Sequence, residues 1–89
     1  MQHFVQDPLE KWEYVLDWSH ATDAGVTIAT STWSAPAAIT LSGPSIDGDF
    51  TVISATGGVV GKVYQVENTV TLSNGQKGVD SIFLYIEEK

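Results

Sequence analysis

Valine, isoleucine and threonine together supply 25 of the 89 residues, and Gly, Pro, Asn and Asp cut the runs they form at short intervals. β-Branched residues lose side-chain freedom in a helix and pack well on a pleated surface, so the pattern predicts an all-β protein of short strands. Area scaling at 9.6 kDa allows about 5,100 Å² of folded surface against about 14,000 Å² for the extended chain, enough burial for one small core. The expectation is a single domain.

The clearest strand signal runs from Trp12 to Trp18. Trp12, Tyr14, Leu16 and Trp18 alternate with Glu13, Val15 and Asp17, which puts four large side chains on one face. Leu9, Trp12 and Leu16 also fit a helical spacing capped by Asp7, but the aromatic and β-branched content favours the strand. Asp7-Pro8 bars a helix at Asp7 through the pre-proline clash, so residues 1–11 are expected as an extended arm preceding a domain of residues 12–89. Further strands are expected over Val26 to Ser34, Ala38 to Ser42, Phe50 to Ala55, Lys62 to Ser73 and the final run to Ile86, with Ile46 in a very short one. Gly43-Pro44, Asp47-Gly48-Asp49 and Asn74-Gly75 mark turns, the last being the pair most favoured in tight hairpins. Between Lys62 and Ser73 the apolar face Tyr64, Val66, Val70, Leu72 is interrupted only by Asn68. About seven antiparallel strands with turn signals every eight to twelve residues describe an immunoglobulin-like β-sandwich with an extended N-terminal arm.

Charge narrows the function classes. Four lysines and no arginine against eleven acidic residues leave a net charge of −7, which disfavours nucleic acid and anionic membranes as partners. Without cysteine, stability rests on packing and sheet hydrogen bonds. The sequence gives no sign of a secretion signal or a membrane span. Ser19-His20 with Asp17 or Asp23 has the residue types of a nucleophilic site, but adjacent residues do not aim at one another and no glycine-flanked nucleophile turn is present. His20 with Asp23, or Asp47-Gly48-Asp49, offers too few ligands for a recognised metal loop. Glu10 with Glu13 and Glu87 with Glu88 read as solvated faces. No catalytic, metal or cofactor-binding residue is therefore assigned.

Binding is the remaining class. The last strand places Ile82, Leu84 and Ile86 on one face and Phe83 and Tyr85 on the other, so something must cover a second apolar face. With Phe4, Val5, Pro8 and Leu9 of the arm, Phe83 and Tyr85 are the expected partner contacts, by strand addition or hydrophobic docking. The alternative is a carbohydrate-binding module that stacks sugars on Trp12, Trp18 or Trp33.

Asp7-Pro8, Tyr14-Val15-Leu16-Asp17-Trp18, Thr27-Ile28-Ala29-Thr30-Ser31-Thr32-Trp33 with Pro36, and Val66-Glu67-Asn68-Thr69-Val70-Thr71 within Gly61 to Ile86 together resemble the small immunoglobulin-like fiber-tail adaptor proteins of tailed phages. The resemblance covers roughly Gln6 to Ile86. It implies a non-enzymatic virion protein, assembled in the host cytoplasm, that joins a fiber or decoration to the tail or neck in several symmetric copies. Its partners would be other virion proteins, with no cofactor.

Overall fold

The structure is a computed structural model and describes residues 2–88; Met1 of the expected arm and Lys89 of the expected domain lie outside the described residues. Seven strands are present among them: β1 (Gln2–Gln6), β2 (Lys11–Asp17), β3 (Ile28–Ser34), β4 (Ile39–Asp47), β5 (Phe50–Gly57), β6 (Val63–Leu72) and β7 (Lys77–Ile86). They form a four-stranded sheet of order β1-β7-β6-β3 and a three-stranded sheet of order β2-β5-β4. Constant-type immunoglobulin sandwiches likewise set their second, fifth and fourth strands against the seventh, sixth and third. The architecture is compatible with the immunoglobulin-like reading. The total surface of 5146 Å² is close to the value expected for one core of this mass.

The alternation read in the sequence is realised in the burial. Tyr14 and Leu16 of β2, Ile53 and Ala55 of β5, Tyr64, Val66, Val70 and Leu72 of β6, and Ile82, Leu84 and Ile86 of β7 point between the sheets and are buried. Gly78 lets the Trp18 ring lie against β7, since a Cβ there would stand 2.7 Å from Cζ3 of the indole. Asn68 is fully buried. It accepts from the Trp18 indole N–H at 3.1 Å and from the Thr51 hydroxyl at 2.7 Å. Its amide donates to Ser31 Oγ at 2.9 Å and to the Thr32 carbonyl at 3.1 Å. Trp18 and Thr51 belong to the three-stranded sheet side and the others to the four-stranded sheet, so this polar node fastens one sheet to the other.

Three local expectations are corrected. Gly43-Pro44 makes no turn; Ile39–Asp47 is one strand whose register shifts between Ser42 and Ser45. The two residues are absorbed as an irregularity on an edge strand, where a missing proline N–H does no harm. The β6–β7 hairpin has a three-residue loop, with Leu72 N–H bonded to the Gln76 carbonyl at 2.8 Å and Gly75 N–H to the Leu72 carbonyl at 2.9 Å. Only Gly75 of the Asn74-Gly75 pair takes a positive φ, as in a type I turn closed by a left-handed glycine. Finally, one strand pair is parallel: β1 runs along β7 with His3 opposite Phe83 and Val5 opposite Tyr85. Some 80 residues separate these partners in sequence, and such remote pairing carries no turn geometry to enforce an antiparallel sense.

Candidate protein-contact face

Residues 2–6 are extended, as expected of the arm, but they are also the outermost strand of the larger sheet. Gln6 fixes them there. Its side chain is fully buried, donating to the Ala55 carbonyl at 2.9 Å and the Glu10 carbonyl at 2.8 Å, while its Oε1 accepts the Tyr14 hydroxyl. The Tyr14 hydroxyl pKa is pushed up to about 12, first by burial and then by the nearby Glu10 charge. The following corner is set by Asp7: its carboxylate accepts the Leu9 N–H at 2.9 Å and its carbonyl the Glu10 N–H at 3.0 Å. Pro8 supplies the φ such a turn needs. Leu9 is left at the tip, 94% exposed.

Pairing along β1, β7 and β6 then decides which side chains meet on the outer face. Val5 lies opposite Tyr85, and Tyr85 opposite Val63, making an apolar row across three strands. All three are about half exposed. The neighbouring row is His3, Phe83 and Gln65, with the His3 ring stacked on Phe83 at 5.2 Å. Phe83 is therefore partly covered by the chain itself, whereas Tyr85 remains open. Val59 and Val60, in the loop that leads into β6, are also half exposed.

Of the six sequence-derived contact residues, Val5, Phe83 and Tyr85 come together on this face. Leu9 stands at the adjoining corner with half-buried Pro8. Phe4 faces the other way, its ring 4.7 Å from that of Tyr14, because alternation along β1 turns it inward with Gln6. Val63 was missed, although its parity with Gln65 and Glu67 marks it as an apolar residue on the outward side. The three tryptophans are dispersed: Trp18 is in the core, Trp33 is partly buried against it, and Trp12 is 52% exposed beside a groove. Phe4, Val5, Trp12, Glu13 and Tyr14 line that groove, of about 320 Å³, between β1 and β2. Among the described residues no three His, Asp or Glu side chains gather as a metal site.

A two-sheet sandwich with a flat apolar row on an outer face has the form of a small structural contact module. The profile of the podophage GP4 fiber-tail adaptor protein gp77 family matches residues 6–85, and the chain belongs to that family. It is thus a bacteriophage structural protein of the tail-adaptor type, a virion component that binds other tail or fiber proteins. No curated protein matches the chain.

Proposed function

We propose that the chain is a non-enzymatic module that joins a fiber or decoration to the phage tail or neck in several symmetric copies, and that it docks through the outer face carrying Val5, Phe83, Tyr85 and Val63. Leu9 and Pro8 extend the contact at the corner. The supporting observation is the Val5–Tyr85–Val63 row: three apolar side chains from three strands, all on one face and all half exposed. Contiguous apolar surface on a small domain marks a contact region more than scattered exposed residues do. With a net charge of −7, the complementary surface is apolar with a basic rim.

The test is assembly of particles with the variant Val5→Ser/Val63→Ser/Tyr85→Ser. Its circular dichroism and sheet content should match those of the parent, while its incorporation into particles drops about tenfold or more, the loss expected when the apolar anchors of an interface are removed. Normal incorporation of the folded variant would move the contact elsewhere.

A further inference from the structure

The two sheets leave four edges, and they are not equally protected. The β4 edge carries the irregularity at Ser42 to Ser45 with Pro44 inside it, the β3 edge has a register shift between Ile28 and Thr30, and β1 is only five residues long. The β2 strand is different. Seven residues pair with β5 in unbroken register, none of them Gly or Pro; β1 hydrogen-bonds to β2 and β5 only through the Gln6 side chain and makes its strand pairing with β7, so among the described residues no strand pairs with the outer edge of β2. An unblunted edge of this kind is a template for pairing with another strand.

Which backbone groups face outward follows from one bond. Trp18 N–H donates to the Asp49 carbonyl at 2.8 Å, continuing the β2–β5 register by one residue. Backbone direction alternates along a strand, so Trp12, Tyr14 and Leu16 also turn their N–H and C=O toward β5, while Lys11, Glu13, Val15 and Asp17 turn theirs to the open edge. The side chains of this second set lie on the outer face of the sheet.

We infer that the occupant of this edge is β2 of a second copy of the chain, paired antiparallel about a two-fold axis at Tyr14. The strand reads Lys-Trp-Glu-Tyr-Val-Leu-Asp, and reversing it aligns Lys11 with Asp17, Glu13 with Val15, and Tyr14 with itself. All seven residues find a partner in that register. Lys11, Glu13, Val15 and Asp17 all fall in hydrogen-bonded pairs, because each already points its backbone at the edge; the four pairs supply about eight backbone hydrogen bonds. Two Lys11–Asp17 pairs flank the axis, and opposite charges facing across strands are favourable. Trp12, half exposed in the monomer, comes to lie opposite Leu16 of the second copy, which carries the apolar interior across the junction. The acidity of each chain opposes the approach at long range, but salt screens that repulsion beyond about 8 Å at physiological ionic strength. The two three-stranded sheets become one six-stranded sheet, and of the apolar row only Val5, which lines the groove between β1 and β2, stands beside the new junction.

Sedimentation equilibrium of the full chain, from about 10 µM to about 1 mM to span weak association, should show a monomer–dimer equilibrium. Lys11→Asp sets like charges opposite each other at both ends of the pairing and should raise the dissociation constant about tenfold; Lys11→Asp with Asp17→Lys should bring it back. Val15→Pro removes an edge-facing N–H, a position where a free edge strand tolerates proline, and should leave a folded monomer. A chain that sediments as a monomer throughout overturns the inference, and so does a dimer indifferent to all of these changes. Failure of parent-level affinity to return in the charge-swapped double variant, with the fold intact, overturns the register that pairs Lys11 with Asp17. A monomeric outcome leaves the adaptor reading standing, since that reading is tested by incorporation into particles.

Discussion

The indole N–H of Trp18 reaches the side-chain carbonyl of Asn68 across the interior, 3.1 Å away. Trp18 follows the second strand and Asn68 lies in the sixth, the two strands that a disulfide joins in antibody domains. This chain has no cysteine, and a hydrogen-bonded node stands between the same strands.

That node should be sensitive to truncation. Asn68→Ala leaves the Ser31 hydroxyl and the Thr32 carbonyl without this donor, and the Thr51 hydroxyl and Trp18 N–H without this acceptor, the latter two on side chains that are buried like Asn68 itself. Each buried polar group left unsatisfied costs about 1–3 kcal/mol, so a loss of about 3 kcal/mol in urea unfolding is expected. In a double-mutant cycle with Trp18→Phe the two changes should couple by about 1 kcal/mol. Full additivity would mean that the bond contributes nothing.

Much of this is legible in the sequence. Asn68 already stood out as the one polar residue on an apolar face, and Phe83 and Tyr85 already pointed away from Ile82, Leu84 and Ile86, because strand parity is a local property of the chain. The destination of Gln2–Gln6 was not legible. Pairing with β7 joins residues about 80 positions apart, and Gln6, a residue type usually found at the surface, gives no hint that it will be buried. Gly43-Pro44 misled for a related reason: the dipeptide specifies a local bend, and whether that bend ends a strand or kinks it depends on the neighbouring β5. Trp12 shares the inward parity of Tyr14 and Leu16 yet is half exposed, since parity says which face a side chain takes and not whether the opposite sheet extends far enough to cover it.

Tyr14 gives a pH signature. In the folded chain its hydroxyl pKa is raised from 10.0 to about 12, chiefly by burial. A raised acid pKa favours the neutral folded form, so the contribution is fully present below pH 10 and is lost as pH climbs toward 12. Stability measured by urea unfolding should therefore decline over that interval. Tyr14→Phe should decline less steeply there, and at neutral pH it should be weaker by about 1–2 kcal/mol because Gln6 Oε1 loses its donor at a buried position.

Gly78 should resist even a small side chain. A methyl group there would meet the Trp18 ring at 2.7 Å and 3.3 Å, and that ring is held by its bonds to Thr51 and Asn68. Overpacking of this kind costs about 1–3 kcal/mol. Gly78→Ala should lower the thermal midpoint while leaving the far-ultraviolet spectrum unchanged, and the same substitution should cost less in a Trp18→Phe background, where the shorter ring leaves room for the methyl group. An unshifted midpoint for Gly78→Ala alone would show that the indole can yield.

Leu9 and Tyr85 should separate contact from stability. Leu9 is 94% exposed at the tip of the Asp7–Glu10 corner, and Tyr85 is 45% exposed in the middle of the apolar row. Neither side chain fills the core, so Leu9→Ser should change unfolding free energy by no more than about 0.5 kcal/mol, the usual range for surface positions. Tyr85→Ser should lose somewhat more, within about 1 kcal/mol, because its ring covers the cross-strand neighbours Val5 and Val63. If the face is the docking surface, the gap between the two variants widens in a binding measurement against purified fiber or tail components. Tyr85→Ser, central and aromatic, should weaken the complex by about 2 kcal/mol, and Leu9→Ser, at the rim, by less than about 1 kcal/mol. Equal losses, or a larger one for Leu9, would shift the centre of the contact from the sheet face to the corner.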